Sequence, residues 1–103
     1  MSIKEVNSST FPEETSSGLV LVDFNADWCG PCQMFKPILD TLSEEIPEPI
    51  LSVNIDESPE LAEKYNVSGI PCLVLLKDGE EVARSIGVIP EKKIIKLIEK
   101  NRK

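Results

Sequence analysis

Leu19-Val20-Leu21-Val22-Asp23-Phe24 is followed shortly by Trp28-Cys29-Gly30-Pro31-Cys32 and then by Phe35, Ile38, Leu39, Leu42 and Ile46. The first run is rich in valine and leucine, as suits a central strand buried on both faces. The last set recurs at helical spacing, so residues 31–46 read as a helix. Pro37 inside it is expected to kink it, and Pro47 and Pro49 to end it. A strand thus delivers the first sulfur to the edge of a sheet, and a helix begins at once. The helix start aims unpaired N–H groups and a positive dipole end at that sulfur. A thiolate is favoured there, and the thiolate is the reacting form. The second sulfur lies one turn further along, close enough to close a disulfide. This stretch reads as a device for thiol–disulfide exchange.

The rest of the chain supplies the remaining layers. Residues 3–6 read as a weak first strand. Thr10-Phe11-Pro12-Glu13-Glu14 reads as a helix start, with Thr10 near the cap and acids in the first turn. Residues 50–55 form another strand, with Val53 and Ile55 marking one face. Ser58-Pro59 opens a helix that runs to about Tyr65. Residues 72–76 and 81–86 are strands joined by Lys77-Asp78-Gly79-Glu80, whose Asp-Gly pair is typical of a tight hairpin. Pro90 opens a closing helix with Ile94, Ile95, Leu97 and Ile98 on its inner side. The order β-α-β-α-β-α-β-β-α predicts a three-layer α/β/α sandwich. Its mixed central sheet has about five strands, and about four helices flank it.

Composition bounds the function. The chain has 103 residues and 41% apolar side chains, enough for one core, so residues 1–103 are expected to form one domain. A net charge of −7, with no cluster of Lys or Arg, argues against nucleic acid and against an anionic membrane surface. There is no histidine, which removes a His-assisted nucleophile and a His-ligated metal. Residues 1–6 are short and polar, with no signal-peptide pattern. Three cysteines do not make a disulfide framework. A reducing compartment, the cytoplasm, is the expectation.

Within the motif, Pro31 fixes φ where the helix wants it and wastes no N–H. Gly30 lets the chain turn and leaves the first sulfur uncovered. Trp28 is placed to shield the site and pack against an incoming chain. Cys29 is expected to be the exposed, acidified attacker, and Cys32 the deeper, resolving thiol. The bland alternative is a metal ligand pair, but closed tetrahedral sites need four ligands, and only Cys72 remains to add to the two.

Asp23 interrupts an apolar strand. A carboxylate there is costly unless it is protonated or partnered. Desolvation would raise its pKa and fit it to take the proton from Cys32. The bland alternative is a strand-edge acid facing solvent. Gly69-Ile70-Pro71 marks either an ordinary loop or a forced backbone shape, a cis bond among the candidates.

Val22-Asp23-Phe24, Trp28-Cys29-Gly30-Pro31-Cys32, Pro37, Asn54-Ile55-Asp56, Gly69-Ile70-Pro71, Asp78-Gly79 and Gly87 follow one another as in thioredoxins. The chain resembles that family over nearly its whole length. The resemblance implies the thioredoxin fold and reduction of protein disulfides through Cys29 and Cys32. It implies that Pro71 is cis and lies against the cysteine pair. It also implies that the Ile70 backbone pairs with a substrate chain as an added strand. Trp28, Gly30, Pro31, Ile70, Pro71 and Gly87 would line the docking surface. Electrons would come from a thioredoxin reductase, flavin-dependent or ferredoxin-linked, and pass to disulfide-containing client proteins. The domain would hold no cofactor and no metal, and would act as a monomer.

The chain departs from the family pattern in places. Asn25 stands where many members carry an aromatic, and Gln33 where a basic residue is common. Ser52 stands where a lysine often lies near the buried acid, a loss that should raise the pKa of Asp23 further. Cys72 follows the proline in place of a common threonine, and reads either as a small buried side chain or as a third exchanging thiol. Rival readings are a disulfide oxidase or isomerase, a glutathione-dependent glutaredoxin, a metal-binding protein and a redox-independent binding subunit of a larger complex. The Gly-Pro centre of the motif favours a reductase over the first two.

Overall fold

The structure, a computed structural model, describes residues 3–103; Met1 and Ser2, where the polar N-terminal stretch begins, lie outside the described residues. The elements are β1 (Lys4–Glu5), α1 (Phe11–Glu14), β2 (Leu19–Asn25), α2 (Gly30–Ser43), β3 (Ile50–Asn54), α3 (Pro59–Lys64), β4 (Cys72–Lys77), β5 (Glu80–Ile86) and α4 (Glu91–Asn101). They build one sheet in the order β1-β3-β2-β4-β5. β3 runs parallel to both β1 and β2, whereas β4 is antiparallel to β2 and to β5. This is the mixed five-stranded sheet with four helices that the element order predicts.

Side chains alternate across a strand, so β2 serves two cores at once. Val20, Val22 and Phe24 join Leu51, Val53, Val74 and Leu76 on one face, covered by Phe11 of α1 and Leu61 of α3. Leu21 joins Ile50, Leu73 and Leu75 on the other, covered by Phe35, Leu39 and Leu42 of α2 and by Ile94 and Ile98 of α4. The same alternation puts Asp23 and Asn25 on the Leu21 face, under α2. It puts Cys72, which belongs to the first core with Phe11 and Phe24, on the opposite face.

Several expected boundaries shift. β1 is shorter than residues 3–6, because only Lys4 and Glu5 find ladder partners, Leu51 and Ser52. The Thr10 hydroxyl makes no cap bond to α1. It accepts from the Asn7 N–H, and Asn7 Oδ1 takes the N–H groups of Ser9 and Thr10 instead. α2 stops at Ser43, ahead of Pro47. The N–H groups of Glu44 and Glu45 turn to the carbonyls three residues back, Thr41 and Leu42, and this tighter turn closes the helix before the prolines are reached. Pro37 does lie inside α2 and withdraws the N–H that would reach the Gln33 carbonyl.

The β4–β5 hairpin turns through Asp78 (φ 51°) and Gly79 (φ 87°), both left-handed, as the primed hairpin turns require. Asp78 Oδ1 accepts from the Gly18 N–H at 2.8 Å, tying the turn to the start of β2. A Cβ at Gly79 would meet nothing closer than Thr15 O at 3.8 Å. The cost of adding one is therefore conformational. Gly79→Ala is expected to lose about 1–2 kcal/mol of stability by thermal or urea unfolding, with disulfide reduction unchanged.

Candidate active site

The chain leaves β2 at Asn25, makes a short turn and enters α2. The Cys29 N–H donates to the Ala26 carbonyl at 3.2 Å, which fixes that turn. Cys29 is the N-cap of α2, in an extended conformation (φ −87°, ψ 108°). Its Sγ accepts the Cys32 backbone N–H at 3.1 Å. A sulfur thus does what a Ser or Asp oxygen does at an ordinary N-cap, and takes one of the orphan donors. Gly30 and Pro31 form the first exposed turn, and Cys32 follows within it. Cys29 and Cys32 form a disulfide, with Cα atoms 5.2 Å apart.

Both cysteines are buried, Cys29 at 4% exposure and Cys32 at 7%. The expected contrast, an exposed Cys29 above a deeper Cys32, is absent in this oxidised form. Cys29 packs with Cys32 and Ala26, and Ile55 and Ile70 close over them. Exposure instead belongs to neighbouring apolar side chains: Trp28 and, on α2, Met34 at 69%, and Ile86 on β5 at 54%.

Asp23 is buried, not a solvent-facing edge acid. Burial pushes its carboxyl up to about 6, while a hydrogen bond from Asn25 pulls the other way. That bond runs from Asn25 Nδ2 to Asp23 Oδ2 at 3.1 Å, and the same nitrogen donates to Ser52 Oγ at 2.8 Å. Asp23 Oδ1 has no hydrogen-bond partner among the described residues. Asp23 and Cys32 line one cavity of about 450 Å³, with Lys36 and Asp40 of α2 on its wall.

The Ile70–Pro71 peptide bond is cis. Ile70 packs on the cysteine cluster, and the Pro71 carbonyl accepts the Gly87 N–H at 2.8 Å. Trp28, whose indole is otherwise open to solvent, is held by Asp56: Nε1 donates to Oδ2 at 2.8 Å. Asp56 is held in turn, its N–H donating to Asn54 Oδ1 at 2.8 Å. The structure therefore gathers Trp28, Cys29, Gly30, Pro31, Cys32, Ile70, Pro71 and Gly87 around one end of the sheet, with Asp23 beneath.

Sequence reasoning ties Ser52 to Asp23 only as a missing lysine, and foresees no hydrogen-bond partner in the site for Asn25, Ser52 or Asp56. The strand register pairs Asp23 with Ser52 and Asn25 with Asn54. A polar pair at the matching end of a neighbouring apolar strand is the signal that could have found them. Cys72 is fully buried on the face away from α2, and burial, the largest influence on it, raises its thiol pKa. Among the described residues, no three His, Cys, Asp or Glu converge to hold a metal, and no helix is long and apolar enough to cross a membrane.

The family model described as Thioredoxin matches residues 2–100. The chain is 50% identical over 101 residues to a thioredoxin of Chlamydia trachomatis, covering 97% of this chain and 99% of that one. It is 43% identical over 103 residues to a thioredoxin of Bacillus subtilis, covering 98% and 99%. Among solved structures, a point-mutant thioredoxin of Halobacterium salinarum superposes with a TM-score of 0.92 at 38% identity, over 99% of this chain and 92% of that one.

The raised Asp23 pKa makes stability depend on pH. At pH values below the ordinary carboxyl value of 3.8 the group is protonated folded and unfolded alike. Between there and about 6 the unfolded chain ionises first, so stability falls as the pH rises. Above that window the loss is complete, on the order of 3 kcal/mol. Unfolding free energies of Asp23→Asn and the parent chain are expected to diverge in favour of the variant across this window and to run parallel above it. Curves parallel throughout would show that Asp23 titrates normally.

Proposed function

The chain belongs to the thioredoxin family, and we propose that its Cys29 is the attacking thiol, its Cys32 the resolving thiol and its Asp23 the proton acceptor. The activity is thiol–disulfide exchange, and the chain is a protein-disulfide reductase. One observation carries the assignment of roles: Cys29 caps α2, and its sulfur accepts the Cys32 N–H. In the reduced chain that N–H and the helix end stabilise a Cys29 thiolate.

The proposed steps run in order. The Cys29 thiolate attacks one sulfur of a client disulfide. A bond forms between the chain and the client, and the client's other sulfur leaves as a thiolate and takes a proton. Cys32 then gives its proton to Asp23, which shares its cavity, and attacks Cys29 Sγ. The Cys29–Cys32 bond forms, the mixed disulfide breaks, and the second client sulfur leaves. Two electrons have passed to the client.

Docking is proposed at Trp28, Gly30, Pro31, Ile70, Pro71 and Gly87. Among the described residues no other backbone group bonds the Ile70 N–H or carbonyl, which supports pairing with an extended client segment. Membership of the family implies a thioredoxin reductase as the electron source and disulfide-bearing proteins as clients. A flavin enzyme using NADPH, or a ferredoxin-linked enzyme, is the proposed donor, and a reducing cytoplasm the proposed setting.

Insulin reduction coupled to NADPH oxidation through a thioredoxin reductase tests these roles. Cys29→Ser is expected to fall to background, and Cys32→Ser to accumulate a mixed disulfide visible by mass. Retained turnover in Cys29→Ser would refute the assignment. Cys72→Ser is expected to keep its rate within about twofold, since that thiol is a small buried core side chain facing away from α2.

A further inference from the structure

The Asn25 amide has two N–H donors and meets three oxygens. They are the Asp23 carbonyl at 3.1 Å, Asp23 Oδ2 at 3.1 Å and Ser52 Oγ at 2.8 Å. A backbone carbonyl and an ionised carboxyl only accept, so the nitrogen end of the amide must face Asp23. Ser52 sits opposite Asp23 in the β2–β3 register and anchors the amide from the neighbouring strand. The two oxygens of Asp23 are thereby made unequal. Oδ2 is tied down, whereas Oδ1 is buried and unpartnered among the described residues.

We propose that Asn25, anchored on Ser52, is a positioning residue: it holds Oδ2 of Asp23 so that Oδ1 is the oxygen that receives the Cys32 proton. The proposal rests on Asp23 being the proton acceptor. When Cys32 gives up its S–H proton, the O–H bond forms at Oδ1 and Oδ2 becomes the carbonyl oxygen. A carbonyl oxygen still accepts from Asn25 Nδ2, so neither side chain has to turn during the transfer. The amide does bias the equilibrium. A donor aimed at a carboxylate favours the ionised form, and hence a carboxyl ready to take a proton near neutral pH.

Other charges face the same carboxyl. Glu5 of β1, Asp27, Lys36 and Asp40 of α2, and Glu57 share the cavity wall. The Cys72 thiol feels Asp23 from the opposite face of the sheet. Lys36 is the one cation on that wall among the described residues, so it is the competing source of bias. A charge effect through solvent is screened by salt, and a buried amide contact is not.

The test pairs two readouts. One is carbon NMR titration of the Asp23 carboxyl in the oxidised chain. The other is the pH profile of single-turnover insulin reduction by the reduced chain, with no reductase present. Asn25→Ala is expected to raise the Asp23 midpoint by about one pH unit, at low and high salt alike. The rate inflection should move with it, slowing reduction about fivefold at pH 6 and little at pH 8. Ser52→Ala should shift the midpoint the same way by less, and Ser52→Thr, which keeps the oxygen, should restore it. The Ser52 variants also serve if Asn25→Ala folds poorly. Lys36→Gln should leave the midpoint in place. If Asp23→Asn removes the rate inflection but neither Asn25→Ala nor Ser52→Ala moves it, the positioning role is refuted and the proton-acceptor role stands. If Asp23→Asn leaves the profile unchanged, the proton-acceptor role fails and the positioning role falls with it.

Discussion

A single short contact organises the active end of the chain: the Cys32 N–H donating to Cys29 Sγ. It exists because β2 ends where it does and α2 begins at once. The Cys29 N–H is fixed on the Ala26 carbonyl, Gly30 and Pro31 start the helix, and no residue is left over to carry Cys29 away from the N-cap. With any longer turn, Cys29 would be a loop cysteine with no helix end facing it. A helix N-terminus favours negative charge by up to about 2 kcal/mol in a partly buried setting. That energy is available only to an atom in the first turn. The same constraint sets the spacing of the pair, since Cys32 must lie one turn on to bond back to Cys29.

Beneath the cysteines the sheet carries a second, opposing constraint. The Leu21 face of β2 is apolar along most of its length and is covered by α2 and α4. At the end nearest the disulfide it turns polar through Asp23, Asn25, Ser52 and Asn54. Alternation forces Asp23 onto the face that α2 covers, and the helix denies it full hydration. A carboxyl with no partner there would stay neutral well above the ordinary range. One with a strong cationic partner would stay ionised. The Asn25 amide, anchored on Ser52 Oγ, is a neutral donor between those extremes, and the value of about 6 follows from burial tempered by one hydrogen bond.

The layers were legible because they depend on periodicity. The Leu19–Phe24 run, the helical stripe from Phe35 to Leu42 and the Asp78-Gly79 turn each carry a pattern that tertiary contacts reinforce. Ends were less legible. α2 closes at Ser43 because its last N–H groups switch to tighter bonds, a choice between two carbonyls that composition does not encode. Thr10 has a good capping residue's chemistry, but Pro12 at the second helical position has no N–H to offer and the Thr10 hydroxyl is engaged with Asn7 instead. The site divides the same way. Cys29, Cys32 and Asp23 stand out as residue types in unusual places. Asn25 reaches Asp23 from two residues away but is anchored by Ser52, 27 residues distant, and Asp56 acts through Trp28, 28 residues distant. Their roles arise from the parallel pairing of β2 with β3, which no local pattern specifies. The burial of Cys29 was also hidden, because Ile55 and Ile70 come from two other segments to cover it.

That cover has a consequence for selectivity. In the oxidised chain the disulfide is enclosed, while the apolar side chain of Trp28 stands open next to it, and Met34 on α2, Val82 and Ile86 on β5 and Val88 just after β5 are exposed as well. A small disulfide arriving from solution gains little from such exposed apolar surface and meets a buried sulfur. In the docking proposed above, a protein partner that lays an extended segment along Ile70 covers apolar surface and meets an Ile70 backbone that has no backbone partner among the described residues. The asymmetry favours macromolecular partners for both halves of the cycle: the reductase that must reach the enclosed disulfide, and the client that must reach Cys29. Trp28, hydrogen-bonded to Asp56, would lose less rotamer freedom in that proposed docking.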